Sequence, residues 1–477
     1  MTRWKSILDA AEVEDRYFRT ALCDIRAAQK CFLLDIVRHN AETVFGRMHH
    51  FSDVASVDDF RNAVPIRAYD DHRHWIEAIA GGADKVLTAD PVIACEETGG
   101  TASGAKLIPY TAQSLRAFRA AVLPSLFDLV RRRPRIANGK MYAAISPATR
   151  APRRTPSGIP IGLSDAAYLG EDLISAFACL LAVPATIGQT TDVTQWRQNT
   201  LRHLEVCPDL SFVSVWSPTF WLELVGGVGV DEIRRLWPNL DTISCWADGA
   251  SAAFLPQLRT IFAGVHIEAK GLLSTESAMT TAYGEDRGCV PAINSAFLEF
   301  ADEQGGVHLA HDVVAGSTYR VIVTTPGGLY RYDTQDIVRC VAHDSGIPRL
   351  VFLGRAGLVS DMVGEKLEEA FVASALAHLP VAARLVARGT PSPHYELWLD
   401  IESRSRAEDW GDQVEVALRR NPQYAYARRI GQLSALAPMC KPGFWSTFDR
   451  PGRRLGDIKP SVLEALQLDI RADKVTA

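Results

Sequence analysis

The chain has 477 residues, 47% hydrophobic and 22% charged, a balance that excludes disorder, collagen and a disulfide-rich mini-domain. Lys plus Arg is 51 against 56 Asp plus Glu, so the net charge of −5 argues against unspecific nucleic-acid or anionic-membrane binding. Nine cysteines without a C-x-x-C pair exclude the common zinc spacings and a disulfide framework; reduced thiols and a cytoplasmic location are the expectation.

The first fifty residues read as helices, because Phe18, Leu22, Ile25, Phe32 and Ile36 fall on one face. The acidic start (Asp9, Glu12, Glu14, Asp15) has no apolar core of a signal peptide. From Pro91 onward, short apolar runs are bounded by Gly, Pro and Asp. They predict strands over Val92–Cys95, Met141–Ile145, Ser211–Val215, Thr242–Trp246 and Val265–Glu268. A helix over Ser251–Phe262 between the last two makes a βαβ signature. The uncharged stretch Leu173–Thr191 contains Pro184, Gly188 and Gln189, and reads as a buried helix and loop instead of a membrane span. Strands over Tyr319–Thr325 and Ile337–Val341 follow. After Gly354 the texture changes. A helix (Leu367–His378), strands (Ala382–Val386, Tyr395–Asp400) and a helix (Val414–Arg420) predict a compact α/β unit. The division is a body over 1–354 and a small domain over 355–477.

Four segments carry possible chemistry. Thr98-Gly99-Gly100-Thr101-Ala102-Ser103-Gly104-Ala105-Lys106 holds three glycines, three hydroxyls and a lysine. Such a run suits a phosphate cradle, and it equally suits an ordinary surface loop. It is not a Walker A loop: Ala105 stands in the lysine position, and Leu107-Ile108-Pro109-Tyr110 reads as a strand where a helix is required. Ser274-Thr275-Glu276 follows a predicted strand, where a carboxylate can hold Mg²⁺ or simply sit in a turn. Gly328-Leu329-Tyr330-Arg331-Tyr332-Asp333-Thr334-Gln335-Asp336 places an Asp after a turn. There it can accept from ribose hydroxyls or cap a hairpin, and the two tyrosines fit packing better than nucleotide stacking. Gly456-Asp457-Ile458-Lys459 offers a loop lysine that by itself reads as surface. Gly162–Ala166 and Gly249–Ala253 each miss the last Gly of a nucleophile elbow. His49, His50, His72 and His74 lack metal-ligand spacing. Arg131–Arg135 reads as an exposed helix end.

In this order the four segments resemble the Gretchen Hagen family of acyl-acid amido synthetases, in its bacterial type, within the adenylate-forming superfamily. Val64–Asp71, Trp237–Leu240, Asp248-Gly249-Ala250, Val363–Leu367, Asn421, Tyr424 and Arg428 extend the resemblance over nearly the whole chain. The Gly328–Tyr332 run is its most specific part. The resemblance implies an α/β fold. A large N-terminal adenylate-forming domain has β-sheets packed by helices, and a small mobile C-terminal α/β domain alternates between half-reactions. It implies a ligase that uses ATP and Mg²⁺, activates a carboxylic acid as acyl-adenylate, and passes the acyl group to an amine. Transfer to a thiol and a non-catalytic binding protein are the alternatives. No nucleic-acid or membrane partner is implied; the expected state is a monomer or weak homo-oligomer.

By the same resemblance Thr98, Gly99, Gly100, Thr101 and Ser103 hold the ATP phosphates, with Thr275, Tyr332, Asp336 and Arg355 completing the nucleotide site. Glu276 ligates the metal. Trp246, Gly249 and Ala250 face the acid, and Lys459 acts in adenylation. The chain departs from the family pattern in three places. Gly99-Gly100-Thr101-Ala102 replaces a Ser-Gly-Thr-Ser type core, Gln335 replaces a Gly, and Asp457 replaces a Gln.

Overall fold

The computed structural model describes residues 3–98, 106–144, 153–163, 165–284, 288–357, 359–390, 392–446 and 460–465. Two compact units are distinguishable: one runs up to Asp248 and resumes over Arg259–Phe352, the other comprises Gly249–Leu258 and Leu353–Ser446 with the closing strand Leu463–Glu464.

The first unit opens with two long helices, α1 (Lys5–Cys23) and α2 (Ile25–His39). Asp24 separates them because its carboxylate caps α2, accepting from the Ala27 amide at 3.0 Å. Phe18, Leu22, Ile25 and Ile36 are buried as their spacing predicts, whereas Phe32 is only partly covered. After three shorter helices, a long one over Ala112–Arg132 starts at Thr111, whose hydroxyl accepts from the Ser114 amide at 3.1 Å, and α1 packs along it.

Three larger sheets follow, besides the two-stranded pair Thr280–Thr281 and Val290–Pro291. In the first, β1 (Ala94–Glu97) pairs antiparallel with β2 (Leu107–Tyr110), and short β4 (Arg153–Arg154) and β5 (Pro160–Ile161) complete the order β2-β1-β5-β4. In the second, β3 (Lys140–Ala143), β6 (Leu210–Ser214), β7 (Thr242–Cys245) and β8 (His266–Ala269) run parallel in that order. These are the predicted strands, shifted by a residue or two. The segment between β7 and β8 is a 3₁₀ turn over Gly249–Phe254 continued by a short α-helix over Leu255–Ile261, not one uniform helix. The third sheet is antiparallel, in the spatial order Val307–Leu309, Phe297–Ala301, Thr318–Thr324, Tyr332–Asp344, Ile347–Arg355.

α2 packs on this third sheet, and Phe45, Phe51, Phe60 and Tyr330 close the core beside it. Each such fully buried side chain contributes roughly 1.5–3 kcal/mol by leaving water. All nine cysteines are free. Among the described residues no helix is long and apolar enough to cross a membrane.

The second unit has a four-stranded sheet in the order Ala437–Cys440, His394–Leu399, Ala383–Arg388, Leu463–Glu464. Helices over Glu369–Leu376, Arg404–Leu418 and Pro422–Arg429 accompany it. Leu385, Leu397, Leu399, Val414, Leu418 and Tyr424 form its core. The helix expected from Leu367 starts at Glu369, because Leu367 and Glu368 pair as a short strand with Val359 and Ser360.

Candidate active site

β1 and β2 lie in the register Ala94↔Tyr110 and Glu97↔Leu107, and the Thr98 amide donates to the Lys106 carbonyl at 2.9 Å. This bond closes the base of the glycine-rich loop. Of the loop residues singled out above, Thr98 is partly buried there. Gly99, Gly100, Thr101 and Ser103 lie outside the described residues, as does Lys459. Lys106 stands over the Tyr69 ring at 5.2 Å, and the Tyr69 hydroxyl accepts from the Leu107 amide at 2.9 Å. Glu96 on β1 is engaged in the fold: its carboxylate accepts from the Leu163 amide at 2.6 Å and the Tyr168 hydroxyl at 3.0 Å.

From β2 the Tyr110 hydroxyl donates to the Thr275 carbonyl at 2.6 Å. Burial pushes its phenol pKa up, and the neighbouring Glu96 charge adds to that. Thr275 and Glu276 sit in a tight turn in which Ser274 Oγ accepts from the Glu276 amide at 3.2 Å. The Glu276 carboxylate faces the Tyr332 hydroxyl at 3.5 Å. Tyr110, Ser114, Phe118, Glu276, Ser295 and Gly327 line a small cleft at this point. Gly327 lies close to its neighbours: a Cβ there would come within 2.7 Å of Ser114 Oγ and 3.1 Å of the Pro109 carbonyl. Two of the four sequence segments, those of Glu276 and Tyr332, therefore meet, and β2 carries the third to their edge.

The Tyr330–Asp336 segment is held by a buried ion network. Arg331 donates to both Glu299 oxygens, at 2.9 Å from Nε and 3.1 Å from Nη2, while Arg61 Nε reaches the same carboxylate at 2.8 Å. Arg331 also donates to the Val64 carbonyl at 2.9 Å, the Arg67 amide donates to the Arg331 carbonyl at 3.0 Å, and the Asp333 amide returns to the Arg67 carbonyl at 2.8 Å. The Val64–Arg67 segment of the family pattern is thus the structural partner of the Tyr330–Asp333 segment. Tyr330 is a packing residue: its ring stacks on Phe45 with centroids 4.5 Å apart and its hydroxyl donates to the Leu87 carbonyl at 2.6 Å.

Beyond Asp333 the ladder bulges. Asp333 faces Ile322, whereas Ile337 already faces Arg320. A bulge of this kind re-aims side chains beside functional sites. Thr334 Oγ1 stabilises it by donating to the Val321 carbonyl at 2.8 Å and accepting from the Asp336 amide at 3.1 Å. Gln335 takes a φ of 64°, the left-handed region that glycine enters without strain, which accounts for the glycine of the family pattern. Asp336 is buried within the bulge.

Trp246 follows β7, its amide donating to the Trp216 carbonyl at 2.8 Å. Gly249 and Ala250 begin the 3₁₀ turn and belong to the second unit, where Ala250 packs against that unit's core. Arg355 ends the strand from Ile347 and is exposed. In the second unit, Asn421 caps a helix by accepting from the Tyr424 amide at 2.9 Å, the Tyr424 hydroxyl donates to Glu415 at 2.7 Å, and Arg428 donates to the same carboxylate at 2.8 Å. These three pattern residues share one structural network.

Three arginines at the end of the Ala112–Arg132 helix and just past it are ion-paired, while Arg135 is exposed. Arg131 and Arg132 pair with Asp128, Arg132 also with Glu268, and Arg133 with Asp241. Two groups escaped the sequence reading. Lys270 directly follows β8, and burial lowers its pKa to about 8. Burial raises Asp248 to about 6, against the pull of its bond from the Phe352 amide at 3.3 Å. The available signal was a charged residue at the carboxyl end of a predicted parallel strand, the edge where such sheets bind ligands. Among the described residues no group of three His, Cys, Asp or Glu side chains forms a metal cage.

The comparisons agree with this geometry. The chain is 22% identical over 459 residues to indole-3-acetic acid-amido synthetase GH3.15 of Arabidopsis thaliana, covering 80% of this chain and 75% of that protein. It is 21% identical over 495 residues to the 4-substituted benzoates-glutamate ligase GH3.12 of the same plant, covering 86% and 85%. A shorter match, 28% over 188 residues, covers 36% of this chain and 31% of indole-3-acetic acid-amido synthetase GH3.4. Its fold superposes on the solved GH3.15 acyl acid amido synthetase with a TM-score of 0.80 at 18% identity, over 95% of this chain and 94% of that one. A 2-hydroxyisobutyryl-CoA ligase follows at a TM-score of 0.55 and 12% identity, over 93% and 89%. The pattern of the GH3 family N-terminal domain matches residues 16–227 and that of the GH3 family central domain residues 289–355, together more than half of the chain, so the chain belongs to the GH3 family.

Proposed function

We propose that this protein is an ATP-dependent acyl-acid amido synthetase. It activates a carboxylic acid as acyl-adenylate and passes the acyl group to an amine, an amino acid in the first instance. The observation that carries the reading is the meeting of the Thr275–Glu276 turn with Tyr110 at the loop base and Tyr332 of the Gly328–Asp336 segment. Relatives named as amido synthetases and as a benzoates-glutamate ligase support an acid and an amino acid as substrates.

A carboxylate resists amines at neutral pH because oxide is a poor leaving group. In the first half-reaction a carboxylate oxygen attacks the α-phosphorus of ATP and pyrophosphate leaves. In the second, the amine nitrogen attacks the acyl carbon, a proton is lost and AMP leaves. We assign to Thr98, Gly99, Gly100, Thr101 and Ser103 the cradling of phosphate oxygens by amides and hydroxyls, and to Lys459 the ammonium that offsets charge on the phosphates as the bond forms. Thr275, Tyr332 and Asp336 frame the nucleoside, with Asp336 accepting from ribose hydroxyls. Arg355, the first residue of the small domain as divided above, belongs to its hinge, and Trp246, Gly249 and Ala250 face the acid.

Glu276 suits Mg²⁺: it is a single hard carboxylate, without an ion pair among the described residues, and Mg²⁺ typically takes one or two carboxylates plus phosphate oxygens. When bound there, the ion supplies positive charge to the phosphates. A cytoplasmic location agrees with the nine unpaired cysteines.

Transfer to coenzyme A is the weaker reading. Its phosphates need free positive charge, and Arg131, Arg132 and Arg133 are engaged with Asp128, Glu268 and Asp241. The test is acid-dependent ATP–pyrophosphate exchange across a broad panel of carboxylic acids. Mass analysis of products formed with amino acids or with coenzyme A comes next. An amide is expected; a thioester without amide would remove the amine acceptor, and absence of exchange with every acid would remove the adenylation itself.

A further inference from the structure

At the carboxyl edge of the parallel sheet, Lys270 Nζ donates to Ser214 Oγ at 2.7 Å, so the residue after β8 is tied to the last residue of β6. The same ammonium lies 5.2 Å from the Trp216 ring centre. Trp246, one residue past the intervening strand β7, has its ring centre 6.0 Å from that of Trp216. The ends of neighbouring strands thus assemble one amine, one hydroxyl and two indoles.

This lysine has no counter-charge among the described residues: no carboxylate there pairs with it, and Glu268, two residues earlier, is taken by Arg132 at 2.6 Å and His266 at 2.7 Å. A partly buried ammonium held by a hydroxyl and an indole face recovers only part of its lost hydration. That deficit is why burial lowers its pKa to about 8. Among the described residues Arg132 is met by acids and Lys270 by none, which leaves its charge to be matched by an anion brought from outside.

The group also adjoins the cleft. Trp216 packs against Ala121, Leu273 and Ala278, and Ala278 lies in the wall of the cleft that holds Glu276. Lys270 and Glu276 share no bonding partner. On the adenylation reading the reacting carboxylate lies with the phosphates, which assigns Lys270 to the far end of the acid.

We propose that Lys270, with Trp216 and Trp246, selects an aromatic acid carrying a second anionic group opposite the carboxylate that is adenylated. The indoles offer flat apolar faces to the ring, and the ammonium supplies the charge. This rests on the adenylation reading above.

The test compares pyrophosphate exchange on benzene-1,4- and benzene-1,3-dicarboxylate with exchange on their monomethyl esters, which keep the shape and lose one charge. Wild-type kcat/KM should favour a dicarboxylate by at least about tenfold, since a site built around a polar partner rejects the analogue lacking it. Lys270→Met should erase that preference while exchange on the monoester stays within about threefold. Lys270→Gln, which retains a donor to Ser214, guards against loss of fold and should behave alike. Indifference of the wild type to the second charge, or an equal loss on both substrates in the variants, overturns the specificity and leaves adenylation standing. Absence of exchange with any acid of the broad panel overturns both.

Discussion

The Tyr332 hydroxyl stands 3.5 Å from Glu276 Oε1, although 56 positions separate them in the chain. The contact is long for a hydrogen bond, so the Tyr332 hydroxyl holds the carboxylate only weakly. That is the state expected of an oxygen reserved for a cation. Glu276→Gln keeps the shape and removes the charge. The Mg²⁺ concentration for half-maximal pyrophosphate exchange should rise by about tenfold, the loss of roughly 1.4 kcal/mol of metal binding. An unchanged Mg²⁺ titration would return Glu276 to the role of a turn residue.

Lys459→Ala should lower exchange by about 10²–10³, the usual effect of removing one charge from a transition state. The circular dichroism spectrum should not change. Exchange near the wild-type rate would refute the assignment.

Asp336 sits in the bulge beside Tyr332, remote in role from the acid. Asp336→Ala should raise KM for ATP at least about tenfold and leave KM for the acid within twofold, as removal of a substrate-binding contact does. Equal weakening toward both substrates would mean that the substitution collapses the bulge.

Glu299 is 1% exposed and Arg331 6%, so water cannot replace either partner of the pair. Removing one partner of such a pair costs about 3–5 kcal/mol because it strands the other charge. Glu299→Gln should lower the urea midpoint accordingly by orphaning Arg331 and Arg61 together, and Arg331→Met, which leaves Glu299 paired with Arg61, should lower it less. Losses below about 1 kcal/mol in both would show that water reaches the network.

Asp248 predicts a pH dependence of stability. Burial lifts its folded pKa to about 6 from the ordinary carboxylate value of 3.8, so the fold prefers the protonated form. Below the unfolded value the group costs nothing; as pH rises through the folded value the penalty grows, and it is constant above. Asp248→Asn keeps an acceptor for the Phe352 amide and removes that penalty. The variant should unfold at higher denaturant than wild type at pH 8, and the gap should narrow at pH 5. A gap independent of pH would show that Asp248 is ionised throughout.

The elements of the parallel sheet were legible in the sequence because each strand is a short apolar run with turn residues at its ends, and such runs are buried wherever they pair. Leu107–Tyr110 was readable as a strand for the same reason, and that excluded a Walker A loop before any coordinates. The Glu276 and Asp336 segments were legible as patterns, since turn chemistry is local. Their partnership was not. That Arg331 is the buried counter-charge of Glu299, that Val64–Arg67 pairs with Tyr330–Asp333, and that Tyr332 meets Glu276 are contacts between residues far apart in sequence, and local propensity carries no information about them. Lys270 shows the difference most plainly. In sequence it is one lysine after a strand; only the side-by-side packing of β6, β7 and β8 sets it against Ser214 and Trp216, with no acid within reach among the described residues. Composition and periodicity decide which segments are buried, because burial of apolar surface is additive along the chain. The charge state and the partners of a buried polar group depend on what the fold brings to it from elsewhere, and that is settled by tertiary structure alone.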